Sequence, residues 1–242
     1  MSVLLEASGI AVPERIAPCD LRLESGTLTA LIGPNGGGKT SLLRALARIA
    51  PARGLVWVDG EDLDAAPPPR RRQLLSFLPA SRDVVWPISV HDLVALGLER
   101  PDPARVQQLI GLLDLQRLAD RPADLLSTGE RSRALLARAL APQPKVLLLD
   151  EPLSNLDPFW VLRVLTVLDE TVERGCAALV ALHDLSLLER FDRVILVGSG
   201  QLLCDGAPAA VLASEPFRQA FGVERAGDGW RISRSGDRRS SP

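Results

Sequence analysis

The chain has no tyrosine, one methionine, two histidines and three cysteines in 242 residues. Lysine is as scarce: Lys39 and Lys145 are the only two, so any chemistry that needs a lysine has two candidates. Cys19, Cys176 and Cys204 stand far apart and form no Cys-x-x-Cys pair, which leaves out a disulfide framework and a zinc set and predicts reduced thiols. There is no His-Glu-x-x-His and no Gly-x-Ser-x-Gly elbow. With a formal net charge of −2, no basic field advertises nucleic acid or an anionic membrane. The first six residues lack the basic and long apolar regions of a secretory leader. The apolar runs at 146–149 and 176–182 fall far short of the about 18 residues a membrane helix needs. A cytoplasmic chain is expected, one that needs another protein to span any membrane it serves.

What is present is ordinary globular composition, 46% hydrophobic and 24% charged, which sets aside disorder, collagen and coiled coil. The length suits one α/β domain, or a core plus one insert. Residues 28–33 predict a short buried strand. A helix over 39–50 would carry Leu42, Leu43, Leu46 and Ile49 on one face and stop at Pro51. Residues 54–60 read as a strand entering a tight turn, and 67–72 as a proline-opened helix start. From about 88 to 141 the spacing is helical. The runs at 146–149, 178–182 and 194–197 are continuously apolar, as in parallel strands covered on both faces. Gly198-Ser199-Gly200 predicts a hairpin turn, and the tail from Ser233 is polar and expected to fray. The fold class is α/β, a mostly parallel core interrupted by a helical insert.

Gly33-Pro34-Asn35-Gly36-Gly37-Gly38-Lys39-Thr40 fits G-x-x-x-x-G-K-[ST] between a buried strand and an amphipathic helix, the context that makes it a phosphate loop. The glycines let backbone N–H groups turn inward around phosphate oxygens, and the helix offers its positive end to the same anion. Lys39 would reach the β and γ phosphates, and the Thr40 hydroxyl would ligate Mg²⁺. Asp150 and Glu151 end another buried strand. Asp150 can hold the Mg²⁺ shell while Glu151 polarises an attacking water as general base, which hydrolysis needs and mere binding does not. Ser127-x-x-Glu130 is a capping box whose helix start also suits an anion. His183 follows an apolar run, at the strand edge where open α/β sheets place ligands, while His91 reads as structural.

In this order the motifs resemble the nucleotide-binding subunit of ATP-binding cassette (ABC) transporters over nearly the whole chain. Residues 33–40 look like Walker A, with Ser41 joining its nucleotide-binding set, 126–130 like the signature and 146–151 like Walker B. Residues 154–157 look like the D-loop and His183 like the switch histidine. The resemblance implies a P-loop NTPase fold with an N-terminal antiparallel β part. It implies one ATPase domain over 1–232, with its core at about 1–80 and 142–232 and a helical subdomain at about 81–141. It also implies ATP and Mg²⁺ as cofactors and an ATP-dependent head-to-tail homodimer. In that dimer Ser127 and Gly129 contact the γ phosphate in trans, His183 contacts it in cis, and Asp157 communicates across the dimer.

Three departures stand out. Ala80 stands where the family has a glutamine that contacts Mg²⁺ or the attacking water and senses the permease. Thr128 replaces the first signature glycine. Nothing before Leu28 offers an aromatic to stack on adenine, so loose base recognition is expected. The short N-terminus and the pattern from Val90 to Gly97 are similar to importers of ferric siderophores, haem or vitamin B12. That likeness implies separate permease chains, a periplasmic or extracellular substrate-binding protein acting indirectly, no nucleic acid, and a place on the cytoplasmic face of a bacterial inner membrane. Ala80 also motivates an alternative, a nucleotide-gated interaction module with weak or no turnover. A soluble ABC ATPase of DNA repair or translation fits worse, because neither a long coiled coil nor a second cassette is present.

Overall fold

The computed structural model describes residues 2–84, 86–226 and 229–233. An antiparallel sheet, in the order β2-β1-β4-β5, is formed by β1 (Val3–Val12), β2 (Ile16–Glu24), β4 (Arg53–Val58) and the short β5 (Glu61–Asp62). The central sheet holds β3 (Leu28–Ile32), β6 (Leu75–Leu78), β7 (Val146–Asp150), β8 (Ala177–Ala181), β9 (Arg193–Gly198) and β10 (Gln201–Gly206), in the order β10-β9-β3-β8-β7-β6. Every pairing in it is parallel except that of the edge strand β10 with β9. A small hairpin, β11 (Val223–Ala226) with β12 (Gly229–Ile232), follows. Apart from Ser233, the polar tail expected to fray lies outside the described residues.

The continuous apolar runs have a direct physical outcome. All five residues of β3, of β7 and of β8 are buried. Because successive side chains of a strand point to opposite faces, each run feeds two cores. Ala30, Ile32, Leu147, Leu149, Ala178 and Val180 face one core, shared with the helices. Leu31, Val146, Leu148, Leu179 and Ile195 face the other, against the antiparallel sheet and α1 (Lys39–Leu46). The helices are α2 (Pro68–Leu74), α3 (Val90–Ala95), α4 (Pro103–Leu112), α5 (Thr128–Leu140), α6 (Pro158–Glu173), α7 (Pro208–Leu212) and α8 (Glu215–Phe221). Side-chain caps open α3 at Ser89, α4 at Asp102, α5 at Ser127 and α6 at Asp157, each contributing about 1 kcal/mol.

The structure shortens one expected helix. α1 ends at Leu46, not near Ile49, and Ile49 is 58% exposed instead of lying on the buried face. Arg48 takes a left-handed φ of 55°. Its N–H donates to Ala45 O at 3.1 Å and that of Ile49 to Arg44 O at 3.1 Å, the paired bonds of a Schellman stop. A non-glycine residue at that position hides the stop from a reading that looks for Gly or Pro. The turn expected after residue 58 is a hairpin turn, with Asp59 and Gly60 at φ 53° and 78°. Ser199 and Gly200 turn the same way between β9 and β10.

Candidate functional site

Four neighbouring strands of the central sheet, β3, β8, β7 and β6, deliver the site at their C-terminal ends. In that order they lead into the phosphate loop, His183, the Asp150–Glu151 pair and the stretch from Pro79 to Val84. This is the edge at which open α/β sheets bind ligands.

The loop after β3 has glycine where nothing larger fits. A Cβ on Gly33 would stand 2.0 Å from the Val197 carbonyl oxygen, and one on Gly38 would stand 2.6 Å from Ile16 Cδ1. Gly38, with φ 113°, opens α1 without a side-chain cap or an acid in the first turn, so the N–H groups of that turn are left for an anion. Lys39 is buried and its Nζ donates to Gly33 O at 2.7 Å and to Pro34 O at 3.4 Å. Burial holds its pKa below the usual lysine value, opposed by the charges of Glu151 and Asp150. Asn35 and Gly36 are exposed at the loop tip.

Asp150 is fully buried, and neither carboxylate oxygen has a hydrogen-bond partner at bonding geometry. Desolvation raises its pKa, opposed by the nearby Thr40 hydroxyl, while the charge of Glu151 adds to the rise. Two orphaned carboxylate oxygens facing a threonine hydroxyl form a hard oxygen donor set, which suits Mg²⁺ and relieves the desolvation of Asp150. Glu151 takes a left-handed φ of 52°, costly for a residue with a side chain. Its Oε1 meets His183 Nε2 at 2.5 Å. The structure thus brings Lys39, Thr40, Asp150, Glu151 and His183 together.

Ser127 and Gly129 belong to a second grouping. The capping box is present: Ser127 Oγ accepts from Glu130 N at 3.3 Å, and Glu130 accepts from Ser127 N at 2.8 Å. The latter bond holds the Glu130 carboxyl below the usual range. A Cβ on Gly129 would lie 3.5 Å from Asn155 O, in the loop before α6, and the Arg133 guanidinium stacks 3.8 Å over the Trp160 ring. Asp157 accepts from Trp160 N at 3.0 Å as the cap of α6. Among the described residues no hydrogen bond joins Ser127, Gly129 or Asp157 to the phosphate loop.

Two features escape a motif-based reading. A groove of about 580 Å³ beside Gly36 is lined by Val12, Pro13 and Ile16 together with the charged Glu14, Arg15 and Arg53, and no aromatic ring lines it. Arg82, four residues beyond β6, is buried and its Nη2 donates to the backbone oxygens of Asp150 and Glu151 at 3.1 and 3.0 Å. Its one sequence signal is an arginine just past Ala80, where no motif asks for one.

A family model described as ABC transporter matches residues 16–154. The hemin import ATP-binding protein HmuV of Pseudomonas aeruginosa is 39% identical over 218 residues, covering 85% of this chain and 86% of that protein. Its counterpart in Rhodopseudomonas palustris is 36% identical over 234 residues, covering 90% and 87%. Among solved structures, an ATP-binding subunit of an ABC transporter superposes with a TM-score of 0.78 at 21% identity, covering 90% of this chain and 93% of that one. A dimeric post-hydrolysis state of the ATP-binding cassette MJ0796 bound to ADP and Pi gives 0.75 at 19% identity, covering 85% and 99%. At these identities the structures speak for the fold.

Proposed function

Since the chain belongs to the ABC transporter family, as an ABC-type ATPase and the ATP-binding subunit of an importer, we propose that it powers uptake of a metal chelate, with haem ahead of siderophore or cobalamin. The observation that carries the choice of haem is the 39% identity to a hemin import protein over 85% of this chain. The chain works at the cytoplasmic face of a bacterial inner membrane. No helix among the described residues is long and apolar enough to cross a membrane. Separate permease chains carry the solute. The permease docks on the helical insert and the stretch after Ala80, where Trp86, Leu96 and Leu125 are exposed. A substrate-binding protein on the other side acts only through it.

In this reading two copies pack head to tail. The loop at 33–41 of one copy holds the ATP phosphates, and Ser127 and Gly129 of the other contact the γ phosphate, with Asp157 signalling across the interface. Thr40 and Asp150 would hold Mg²⁺, which supplies charge neutralisation to the phosphate oxygens. Glu151 takes a proton from the attacking water, and the 2.5 Å contact with His183 supports a fixed direction for its carboxylate. The same contact argues against the non-hydrolytic module that Ala80 suggests. Phosphate release with Mg-ATP at rising chain concentration tests the reading. A faster-than-linear rise is expected from a site completed by a second copy; ATP binding without release in a single turnover would favour the module. With the permease in vesicles, ATP-driven haem uptake is expected, and uptake of a siderophore or cobalamin instead would overturn the choice of solute.

A further inference from the structure

The loop that leaves β6 contributes one buried cation, and it lies against the turn that carries Glu151. Arg82 is only 7% exposed. Its Nη2 reaches two successive backbone oxygens, those of Asp150 and Glu151, at 3.1 and 3.0 Å. The Glu151 oxygen also accepts from Ser154 Oγ at 2.8 Å and from Ser154 N at 3.2 Å, so three donors converge on it. Both Ser154 donors come from within the turn; among the described residues Arg82 alone reaches that oxygen from outside it, from the loop after β6. The backbone held in this way is strained, since Glu151 sits at φ 52° and needs its surroundings to keep it there.

The neighbours of Arg82 do not share the task. Ser81 Oγ is taken by Asp83 Oδ2 at 2.6 Å, and Ala80 brings only a methyl group. Among the described residues of 79–84, no other side chain bonds the turn. Burial also leaves Arg82 Nε and Nη1 without hydrogen-bond partners. A buried guanidinium with idle N–H groups is a costly way merely to stabilise a turn that a neutral donor would satisfy. The nearby charges of Asp150 and Glu151 offset part of that cost. A few residues further on, Ser89 caps α3 and pairs with Pro122, so the insert begins there.

We propose that Arg82 is a positioning residue for hydrolysis: it locks the Glu151 turn from the loop after β6 and ties the carboxylate's aim to the chain entering the helical insert. The proposal rests on Glu151 being the general base. It is tested on the purified full-length chain with Arg82→Ala and Arg82→Lys, measuring kcat, KM for Mg-ATP, affinity for a fluorescent ATP analogue, and Tm. Arg82→Ala is expected to lower kcat by about 10–100-fold while KM and affinity stay within about threefold, and Arg82→Lys to fall between it and the parent. An unchanged kcat, or an equal loss in affinity, overturns the proposal; the latter would mean direct contact with the nucleotide. In a Glu151→Gln background, Arg82→Ala is expected to cost less than about threefold further in single-turnover cleavage, since its effect runs through Glu151. A full additional loss would assign it a separate role. If Arg82→Ala does not fold, Arg82→Lys and Arg82→Gln carry the same split, and a parental kcat in both overturns the assignment. Should Glu151→Gln itself turn over normally, the base reading fails; if it is inactive while the Arg82 variants are normal, only the Arg82 proposal fails.

Discussion

Nε2 of His183 and Oε1 of Glu151 stand 2.5 Å apart, across the C-terminal ends of two directly paired strands. The pairing of Asp150 with Ala181 sets the register, so one residue beyond β7 meets two residues beyond β8. The contact fixes the Glu151 carboxylate from its side-chain end. Glu151→Gln should lower turnover by about 10²–10⁴-fold while leaving ATP affinity near the parent. It should also let an ATP-bound dimer accumulate, which size-exclusion chromatography with ATP would detect. His183→Ala should cost less, about 10–100-fold, because the base remains and only its aim is lost. Normal turnover by Glu151→Gln would put the base elsewhere.

Lys39 folds back onto the oxygens of Gly33 and Pro34, so it must exchange those bonds for phosphate oxygens when nucleotide arrives. Lys39→Ala should weaken nucleotide affinity by about 10–100-fold through loss of charge-assisted bonds. Its effect on Tm without nucleotide should be small, because a desolvated cation is removed along with its two bonds. Isothermal titration with ATP checks the first expectation and calorimetric melting the second. Undiminished tight binding would sink the loop assignment.

The phosphate loop, the acid pair and the capping box were all legible in the sequence, because each is local and depends on a fixed spacing along one segment. The parallel core was legible too, since a strand covered on both faces must be apolar at every position, as β7 and β8 are. What escaped depends on partners far along the chain. Arg82 bonds residues 68 and 69 positions away, and no local pattern announces that. The stop at Arg48 escaped for a different reason, as an arginine occupies a left-handed position that glycine usually marks. The groove beside Gly36 draws Arg15, Gly36 and Ser199 from three separate turns.

Asp150 gives the fold a pH dependence of definite sign. Its carboxyl is pushed above the usual range, chiefly by burial. The folded state therefore holds the proton more tightly than the unfolded chain, so this group's contribution is present at low pH and is lost as pH rises through the raised folded value. At neutral pH the buried carboxylate is a liability that Mg²⁺ would relieve. Asp150→Asn should accordingly stabilise the metal-free protein at pH 7 by about 1–3 kcal/mol and abolish Mg²⁺-dependent turnover. Denaturant melts with and without Mg²⁺ check this: the parent should gain stability from the metal and the variant should not. A destabilised variant would mean that the attraction of Thr40, Arg44 and Arg82 for the carboxylate outweighs its desolvation.

Base recognition should be permissive, and the reason lies in the groove beside Gly36. Stacking between an aromatic ring and a base is commonly worth about 1–3 kcal/mol. Here the wall offers Val12, Pro13 and Ile16 with the charged Glu14, Arg15 and Arg53. Such a surface accepts the flat face of any purine, and its exposed charged side chains fix no donor–acceptor pattern for the edge groups, so discrimination between ATP and GTP is weak and the phosphates, identical in the two, carry the binding. Competition of GTP against a fluorescent ATP analogue should give affinities within about tenfold of each other, a difference of about 1.4 kcal/mol. Val12→Tyr should tighten binding of both nucleotides without much changing their ratio, because a ring adds stacking and no edge contact. Strong preference for ATP in the parent would require a polar group that reaches the base edge, and Glu14→Ala, Arg15→Ala and Arg53→Ala would show which side chain it is.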